Sequence, residues 1–94
     1  MLVEELFEKH NDEYLKFDRI SPFLRVHKRP DICAFLYLDK LFPGSEDIVS
    51  AATHDKYFLN IDTEQVEQLK EEDVLYLLRC GISLDEDGYL YSFT

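Results

Sequence analysis

His54 and Asp55 are the adjacent pair whose residue types come closest to catalytic chemistry in this sequence. Imidazole and carboxylate side chains ligate hydrolytic metal ions, but such a site needs several more ligands of matched type and number. Only His10 and His27 remain as further histidines. A structural or capping role is therefore the default, a small metal-dependent hydrolase is the weaker alternative, and we predict no metal and no cofactor.

Cys33 and Cys80 are the only cysteines, and both stand in apolar sequence of helical character. Free cysteine is among the most buried residue types, so we predict two buried thiols. Cys80 directly precedes Gly81 at a predicted helix C-terminus, which disfavours a thiolate and hence a nucleophile. Small secreted domains usually carry several disulfides, so two cysteines favour a cytoplasmic protein.

Asp85, Glu86, Asp87 and Gly88 form an acidic segment near the end of the sequence, which we call the acidic turn. It looks like a fragment of a calcium loop, but that loop requires a further acidic residue at its start and a bidentate glutamate at its end. Tyr91 and Ser92 occupy the region where the glutamate should come. The pattern favours a solvated hairpin turn.

A basic cluster lies between positions 19 and 29 and is interleaved with Phe17 and Phe23. Its members are Arg19, Arg25, His27, Lys28 and Arg29. These side chains could simply neutralise acidic neighbours in the fold. Alternatively they contact an anion or nucleic acid, because arginine with aromatic residues suits phosphates and stacked bases.

Charge is the strongest feature of the composition: 20 acidic and 10 basic residues give a formal net charge of −10. Residues 1–45 carry eight acidic and seven basic residues, whereas residues 46–94 carry twelve and three. Such a surface repels phosphate backbones, which disfavours nucleic-acid binding by the second half, and a basic partner is its electrostatic complement. Glu71, Glu72 and Asp73 suit a helix N-terminus. Together with Asp62, Glu64, Glu67 and the acidic turn they could also form one negative face that imitates DNA.

The elements that position these residues are predicted from periodicity and end signals. Apolar residues at spacings of three and four predict an amphipathic helix from Val3 to Phe17, ended by Ser21 and Pro22. A short strand could follow in 23–29. Pro30 and Asp31 begin a central helix that ends before Pro43 and Gly44. Acidic residues 71–73, Arg79 and Gly81 define a helix over 70–79.

Alternating apolar residues predict a strand over 57–61, and Asp62 with Gln65 forms a capping-box pair after it. Residues 82–93 read as a hairpin around the acidic turn, while residues 45–52 fit either a helix or a strand. We therefore predict a single α+β domain over residues 1–94. It has a small antiparallel sheet of three or more strands with three to four helices packed on one face. No apolar run is long enough to cross a membrane.

The chain resembles small uncharacterised proteins of tailed phages and prophages over roughly two thirds of its length, from Arg29 to the end. The matching parts are Arg29-Pro30-Asp31, Ala34-Phe35-Leu36, Leu41, Pro43, Gly44, Val49 to Ala52, His54-Asp55, Leu59, Asp62, Glu72-Asp73-Val74, Leu77, Arg79-Cys80-Gly81, the acidic turn and Phe93. The resemblance implies an origin and transfers no catalytic residue.

Small size, uneven charge, a tyrosine-rich hairpin and the lack of an assembled catalytic set favour a non-enzymatic interaction protein, a phage accessory factor that binds and modulates a host protein. The predicted partner-binding residues are Arg19, Arg25, Lys28, Arg29, Glu71, Glu72, Asp73, Asp85, Glu86, Asp87, Tyr89 and Tyr91. A nucleic-acid-binding regulator that uses residues 19–29 is the runner-up. A symmetric homodimer formed by edge pairing of the aromatic hairpin is a further alternative.

Overall fold

The computed structural model describes residues 2–43, 49–53 and 55–93 of the 94-residue chain. Its helices and strands are α1 (Val3–Lys9), α2 (Pro30–Leu41), β1 (Val49–Ala52), β2 (Lys56–Leu59), α3 (Thr63–Val66), α4 (Glu71–Arg79), β3 (Ile82–Leu84) and β4 (Leu90–Phe93). The strands form one antiparallel sheet in the order β1-β2-β4-β3. The predicted α+β class is confirmed.

Strand register separates a buried face of the sheet from a more open one. Tyr57 and Ile82 both pair with Ser92, so these three residues share a face, and Leu90 lies on it two positions before Ser92. Ile82 and Leu90 are fully buried, and helices α1 and α4 contact β3. Because side chains alternate along a strand, the aromatic residues of the hairpin point to the other face.

The two longest helices begin and end close to the predicted residues. Pro30 opens α2, where its missing N–H costs nothing, and Lys40 stands in the last turn. In α4 the acidic residues occupy the first turn and Arg79 the last, and Gly81 just beyond adopts a φ of 87°. Both arrangements complement the helix dipole, so local signals were sufficient for these boundaries.

The capping pair before α3 is also confirmed. The Gln65 N–H donates to Asp62 Oδ1 at 2.8 Å, and the Asp62 N–H donates to Gln65 Oε1 at 3.2 Å. This reciprocal pair satisfies two backbone donors that a helix start leaves open.

The first helix is shorter than predicted, because α1 ends at Lys9 rather than at Phe17. Two 3₁₀ turns follow at Asn11–Glu13 and Phe17–Arg19. Between them Leu15 adopts a φ of 59°, and its N–H donates to the Leu78 carbonyl at 3.0 Å. That contact with α4 requires the chain to leave the helix, so packing overrides the apolar spacing on which the prediction rested.

The strand considered for 23–29 is absent from the described residues. The N–H groups of Leu24 and Arg25 both donate to the Ser21 carbonyl, at 2.8 and 3.2 Å, which makes a turn. Residues 21–29 are called the 21–29 loop below. Of residues 45–52, which the sequence left open, Val49–Ala52 form strand β1, and 45–48 lie outside the described residues.

Candidate partner-binding groove

A groove lies between the 21–29 loop and α2, beside the start of α4. Its volume is about 810 Å³. The loop contributes Phe23, Leu24 and Val26, and α2 contributes Leu36 and Leu41. Its more polar rim consists of Lys40, Gln68, Lys70 and Glu72. We call this feature the apolar groove.

Exposed apolar side chains concentrate in this groove. Nine large apolar residues are exposed in the described part of the chain, and five of them are the loop and α2 residues that line the groove. Phe23 is the extreme case, with 97% of its surface exposed. Isolated exposed apolar residues are normal on protein surfaces, whereas a contiguous group of them marks a site of interaction.

Helix α2 explains part of this exposure. Its residues 32–38 contain no charged side chain, so the helix is apolar around most of its circumference. One side packs inward through Cys33, Ala34 and Leu38, but Leu36 is 49% exposed. A helix that is apolar on all sides is normally covered on all sides. Within the described residues, α2 has a face that nothing covers.

Beneath the groove lies a hydrogen-bonded group of aromatic and acidic side chains. The Tyr37 hydroxyl donates to Asp73 Oδ1, and the Lys70 backbone N–H donates to Asp73 Oδ2 at 2.9 Å. The rings of Tyr37 and Tyr76 stack with centroids 4.2 Å apart. Burial raises the pKa of both tyrosine hydroxyls, and the Asp73 carboxylate raises that of Tyr37 further. Both rings therefore form a neutral, fixed floor.

The 21–29 loop is anchored to α2 and α4 by hydrogen bonds to its backbone carbonyls. The Tyr76 hydroxyl donates to the Leu24 carbonyl at 2.8 Å, and the Cys33 thiol donates to the His27 carbonyl at 3.1 Å. The Arg25 guanidinium lies 5.7 Å from the centre of the Phe17 ring. These contacts hold the loop backbone while its apolar side chains remain exposed, so the groove wall is preorganised.

Positive charge that has no carboxylate partner in the described part of the chain gathers on the same face. Lys9, Arg19, Arg29 and Arg79 form ion pairs, and Lys56 lies 4.5 Å from the Tyr91 ring centre. The other basic residues have no carboxylate partner among the described residues, and they are Lys16, Arg25, Lys28, Lys40 and Lys70. Four of these five line the groove or the pocket beside it.

The basic residues predicted as a partner site thus separate into two kinds. Arg19 donates to Glu13 at 2.6 Å, and Arg29 donates to Asp31 at 3.0 Å. The guanidiniums of Arg79 and Arg19 lower the pKa of Glu13. Arg19 and Arg29 therefore neutralise acidic neighbours, which is one of the two roles predicted from the sequence. Arg25 and Lys28 remain unpaired among the described residues.

The predicted acidic residues lie at opposite ends of α1. Glu71 is 3.3 Å from the Lys9 ammonium at the C-terminal end of that helix, and His10 and Lys9 lower the pKa of its carboxyl. Glu86 and Asp87 of the acidic turn lie beside the N-terminal end of α1. Asp73 is buried, and Glu72 stands at the groove rim.

The acidic turn is ordered by its own first residue. Asp85 Oδ1 accepts the N–H groups of Asp87 and Tyr89, at 3.0 and 2.9 Å. Tyr91 lines a separate cleft of about 540 Å³, which also contains Glu4, Glu8, Asp85 and Glu86. Tyr89 is exposed and does not line that cleft.

Both thiols are buried, as predicted, with 0% and 2% exposure for Cys33 and Cys80. Burial, with Cys33 as the second cause, raises the pKa of Cys80 to about 12. No three metal-ligating side chains converge within the described residues, and His54 of the predicted His54-Asp55 pair lies outside them. In the same part of the chain no helix is long and apolar enough to span a membrane.

The predicted partner-binding residues include none of the five apolar residues that line the groove. A signal for them was present in the uncharged run of α2, which is too apolar for a helix with one side in water. For the loop residues the sequence offered no comparable signal, because their exposure depends on how the loop folds back on α4.

Neither a family model, nor a curated protein, nor a solved structure matches this chain. The resemblance to phage and prophage proteins stays a prediction.

Proposed function

We propose that this chain is a non-enzymatic interaction protein whose apolar groove binds an amphipathic segment of another protein. The observation that carries the proposal is the grouping of Phe23, Leu24, Val26, Leu36 and Leu41 as exposed side chains on both walls of one groove. Covering them removes apolar surface from water, which is the main driving force for association.

Preorganisation supports binding at this site. Association is opposed by the entropy lost when loops and side chains become ordered. Because Tyr76 and Cys33 already hold the loop backbone, binding does not have to order it. A groove with a fixed wall retains more of the free energy gained from apolar burial.

The unpaired charges define the chemistry of the partner. Lys40 and Lys70 stand at the rim with Glu72, and Arg25 and Lys28 lie beyond Val26. Although the chain as a whole carries −10, the groove and the pocket beside it are lined by four cations that have no carboxylate partner among the described residues, against the carboxylates of Glu72 and Asp73. The segment that fits it has apolar side chains at helical spacing and carboxylates on its flanks, as in helix-in-groove recognition.

The resemblance to phage and prophage proteins supports a bacterial host protein as the partner, whose activity this chain modulates. Two unbonded, buried thiols agree with residence in the reducing cytoplasm. Both statements are part of the proposal.

Selection of peptides tests the proposal without knowledge of the natural partner. A display library of about 16 residues, roughly four helical turns, is selected on the full chain and then on the variant Leu36→Glu. Leu36 is half exposed, so the variant should fold, at a cost in stability of about 1 kcal/mol. We expect peptides with apolar residues at i, i+3 or i+4 and i+7 whose affinity falls at least about tenfold with Leu36→Glu.

The matched control is Leu2→Glu, because Leu2 is 65% exposed and lies outside the groove. It should leave those affinities unchanged. Peptides that bind both variants equally well would contradict the proposal. So would a stable homodimer of the wild-type chain that Leu36→Glu dissociates, since a second copy would then be what covers the groove.

A further inference from the structure

A second pocket lies next to the apolar groove, and Val26 lines both. It has a volume of about 550 Å³ and opens to solvent. Its ionisable lining residues are Arg25, His27 and Lys28, and no carboxylate of the described residues lines it. In a chain with twice as many acidic as basic residues, a pocket whose ionisable lining residues are all basic is unusual.

Arg25 lacks the partner that a guanidinium normally has. It forms no ion pair with the described residues, and its Nε is buried without a hydrogen-bond partner. Its position is nevertheless fixed, by the Phe17 ring under the guanidinium and by its backbone N–H on Ser21. A buried donor that stays unsatisfied costs free energy, and an oxyanion reaches this guanidinium through its terminal nitrogens, because Nε itself is shielded from solvent.

His27 and Lys28 can supply further donors. The Arg29 backbone N–H donates to His27 Nδ1 at 3.1 Å. In the neutral imidazole the proton is therefore on Nε2, which is left free as a donor. Lys28 is exposed and has no carboxylate partner among the described residues.

We infer that this pocket binds one oxyanion, the carboxylate or phosphoryl group of the segment that occupies the apolar groove. The inference rests on the proposed function for the source of the anion, whereas the pocket itself requires no partner. The guanidinium fork suits either group, because both present two oxygens at matching separation. A single oxyanion fits better than a polyanion, because the excess of carboxylates elsewhere repels a chain of phosphates.

Titration of the full chain with inorganic phosphate tests the pocket alone. The measurement is the set of ¹⁵N NMR shifts of the backbone amides 25–28 and of the Arg25 side-chain Nε–H, with sodium chloride at equal ionic strength as the reference. We expect saturable shifts confined to these signals. Arg25→Gln should lower the phosphate affinity about tenfold or more, and Arg25→Lys, which keeps the charge but loses the fork, should lower it less.

Arg29→Gln is the matched control, because Arg29 belongs to the same segment but already pairs with Asp31. It should leave the affinity within about twofold. Should Arg25→Gln fail to fold, Lys28→Gln provides the same test at an exposed position. Shifts no larger than those with chloride, or an equal loss in Arg29→Gln, would overturn the inference.

The source of the anion is tested with a groove-binding peptide in which one acidic residue is replaced by glutamine or by phosphoserine. We expect the glutamine peptide to bind the wild-type chain and Arg25→Gln with equal affinity. The acidic and phosphorylated peptides should bind Arg25→Gln more weakly than the wild-type chain. Salt-sensitive retention on single-stranded DNA that Arg25→Gln abolishes would instead assign the pocket to a nucleic-acid backbone and overturn the peptide source. Saturable phosphate binding with no groove peptides would remove the proposed function and leave the pocket standing.

Discussion

The Asp73 carboxylate connects α2 to the start of α4 through two hydrogen bonds. Its oxygens accept from the Tyr37 hydroxyl of α2 and from the Lys70 N–H at the start of α4. Asp73 is 7% exposed, and no other acidic residue in the described part of the chain is buried. A buried carboxylate without its donors is costly, so this residue fixes the position of α2 against α4 and thereby the floor of the groove.

Replacement of Asp73 by asparagine should lower the free energy of unfolding by about 1–3 kcal/mol, because an NH₂ group then faces one of the two donors. Tyr37→Phe should also destabilise, and the double variant should cost less than the sum of the two single changes. Urea denaturation measures all three. The exposed neighbour Glu72→Gln is the control and should change stability by no more than about 0.5 kcal/mol. Strict additivity of Tyr37→Phe and Asp73→Asn would show that the pair is not coupled.

At the scale of elements, the end of α4 is held by a close approach between Gly81 and Leu15. Gly81 has a φ of 87°, and a Cβ at this position would lie 2.7 Å from Leu15 Cδ2. Gly88 has a similar φ of 89°, but a Cβ there would lie 3.5 Å from its nearest neighbour. The two glycines share the same backbone requirement and differ in the space around them.

Gly81→Ala should therefore destabilise more than Gly88→Ala. Both changes carry a left-handed backbone penalty of roughly 1–2 kcal/mol, and only the first also displaces Leu15. Thermal unfolding of both variants measures the difference. The added change Leu15→Ala should reduce the extra loss in Gly81→Ala. Equal losses in the two glycine variants would mean that Leu15 does not constrain this turn.

The sequence could predict those elements whose ends carry local signals. Proline at the start of α2 and the acidic first turn of α4 mark boundaries that need no tertiary information. The end of α1 could not be predicted, because the Leu15 N–H finds its acceptor in α4. The groove could not be predicted for the same reason, since the loop and α2, although neighbours in the sequence, enclose it only because the loop folds back on α4.

Candidate site residues were predicted from residue type, and this criterion selected charged residues rather than apolar ones. Asp73 carries a charge and is buried, whereas Phe23 is apolar and almost fully exposed. Residue type alone would place Asp73 in water and Phe23 in the core. Hydrogen bonds keep Asp73 buried, and the anchored loop keeps Phe23 exposed. Arg25 and Lys28 were among the predicted residues, but which of the basic residues find carboxylate partners depends on the fold.

At the scale of the whole molecule, buried groups with raised pKa values make stability depend on pH on the alkaline side. The pKa of Cys80 rises from an ordinary 9.0 to about 12, and those of Tyr37 and Tyr76 rise above their ordinary 10.0. Groups whose pKa is higher in the folded state stabilise it fully below their ordinary pKa. That contribution is lost as the pH rises.

Stability should therefore be flat on this account up to about pH 8 and should fall from about pH 9 upward. Urea denaturation at one-unit intervals from pH 7 to 11 measures the profile. Cys80→Ala lowers stability at every pH through its cavity, but it should reduce the fall in stability between about pH 9 and 10, where the thiol contributes more than either tyrosine. An unchanged slope in that interval would show that the Cys80 thiol does not control it.

Charge and apolar surface are distributed differently over the molecule. The excess of carboxylates lies in the second half of the sequence, whereas most of the unpaired cations surround a groove of exposed apolar residues. This arrangement keeps the net charge high, and it is the basis for proposing an acidic amphipathic segment as the partner.

The proposal that the apolar groove binds an amphipathic segment is tested by the map of ¹⁵N NMR shifts that a selected peptide produces on the full chain. We expect the largest shifts at residues 23–26, 36–42 and 68–76, which form the groove and its floor. The largest shifts at the acidic turn and at Tyr89 and Tyr91, with the groove signals unmoved, would contradict the account.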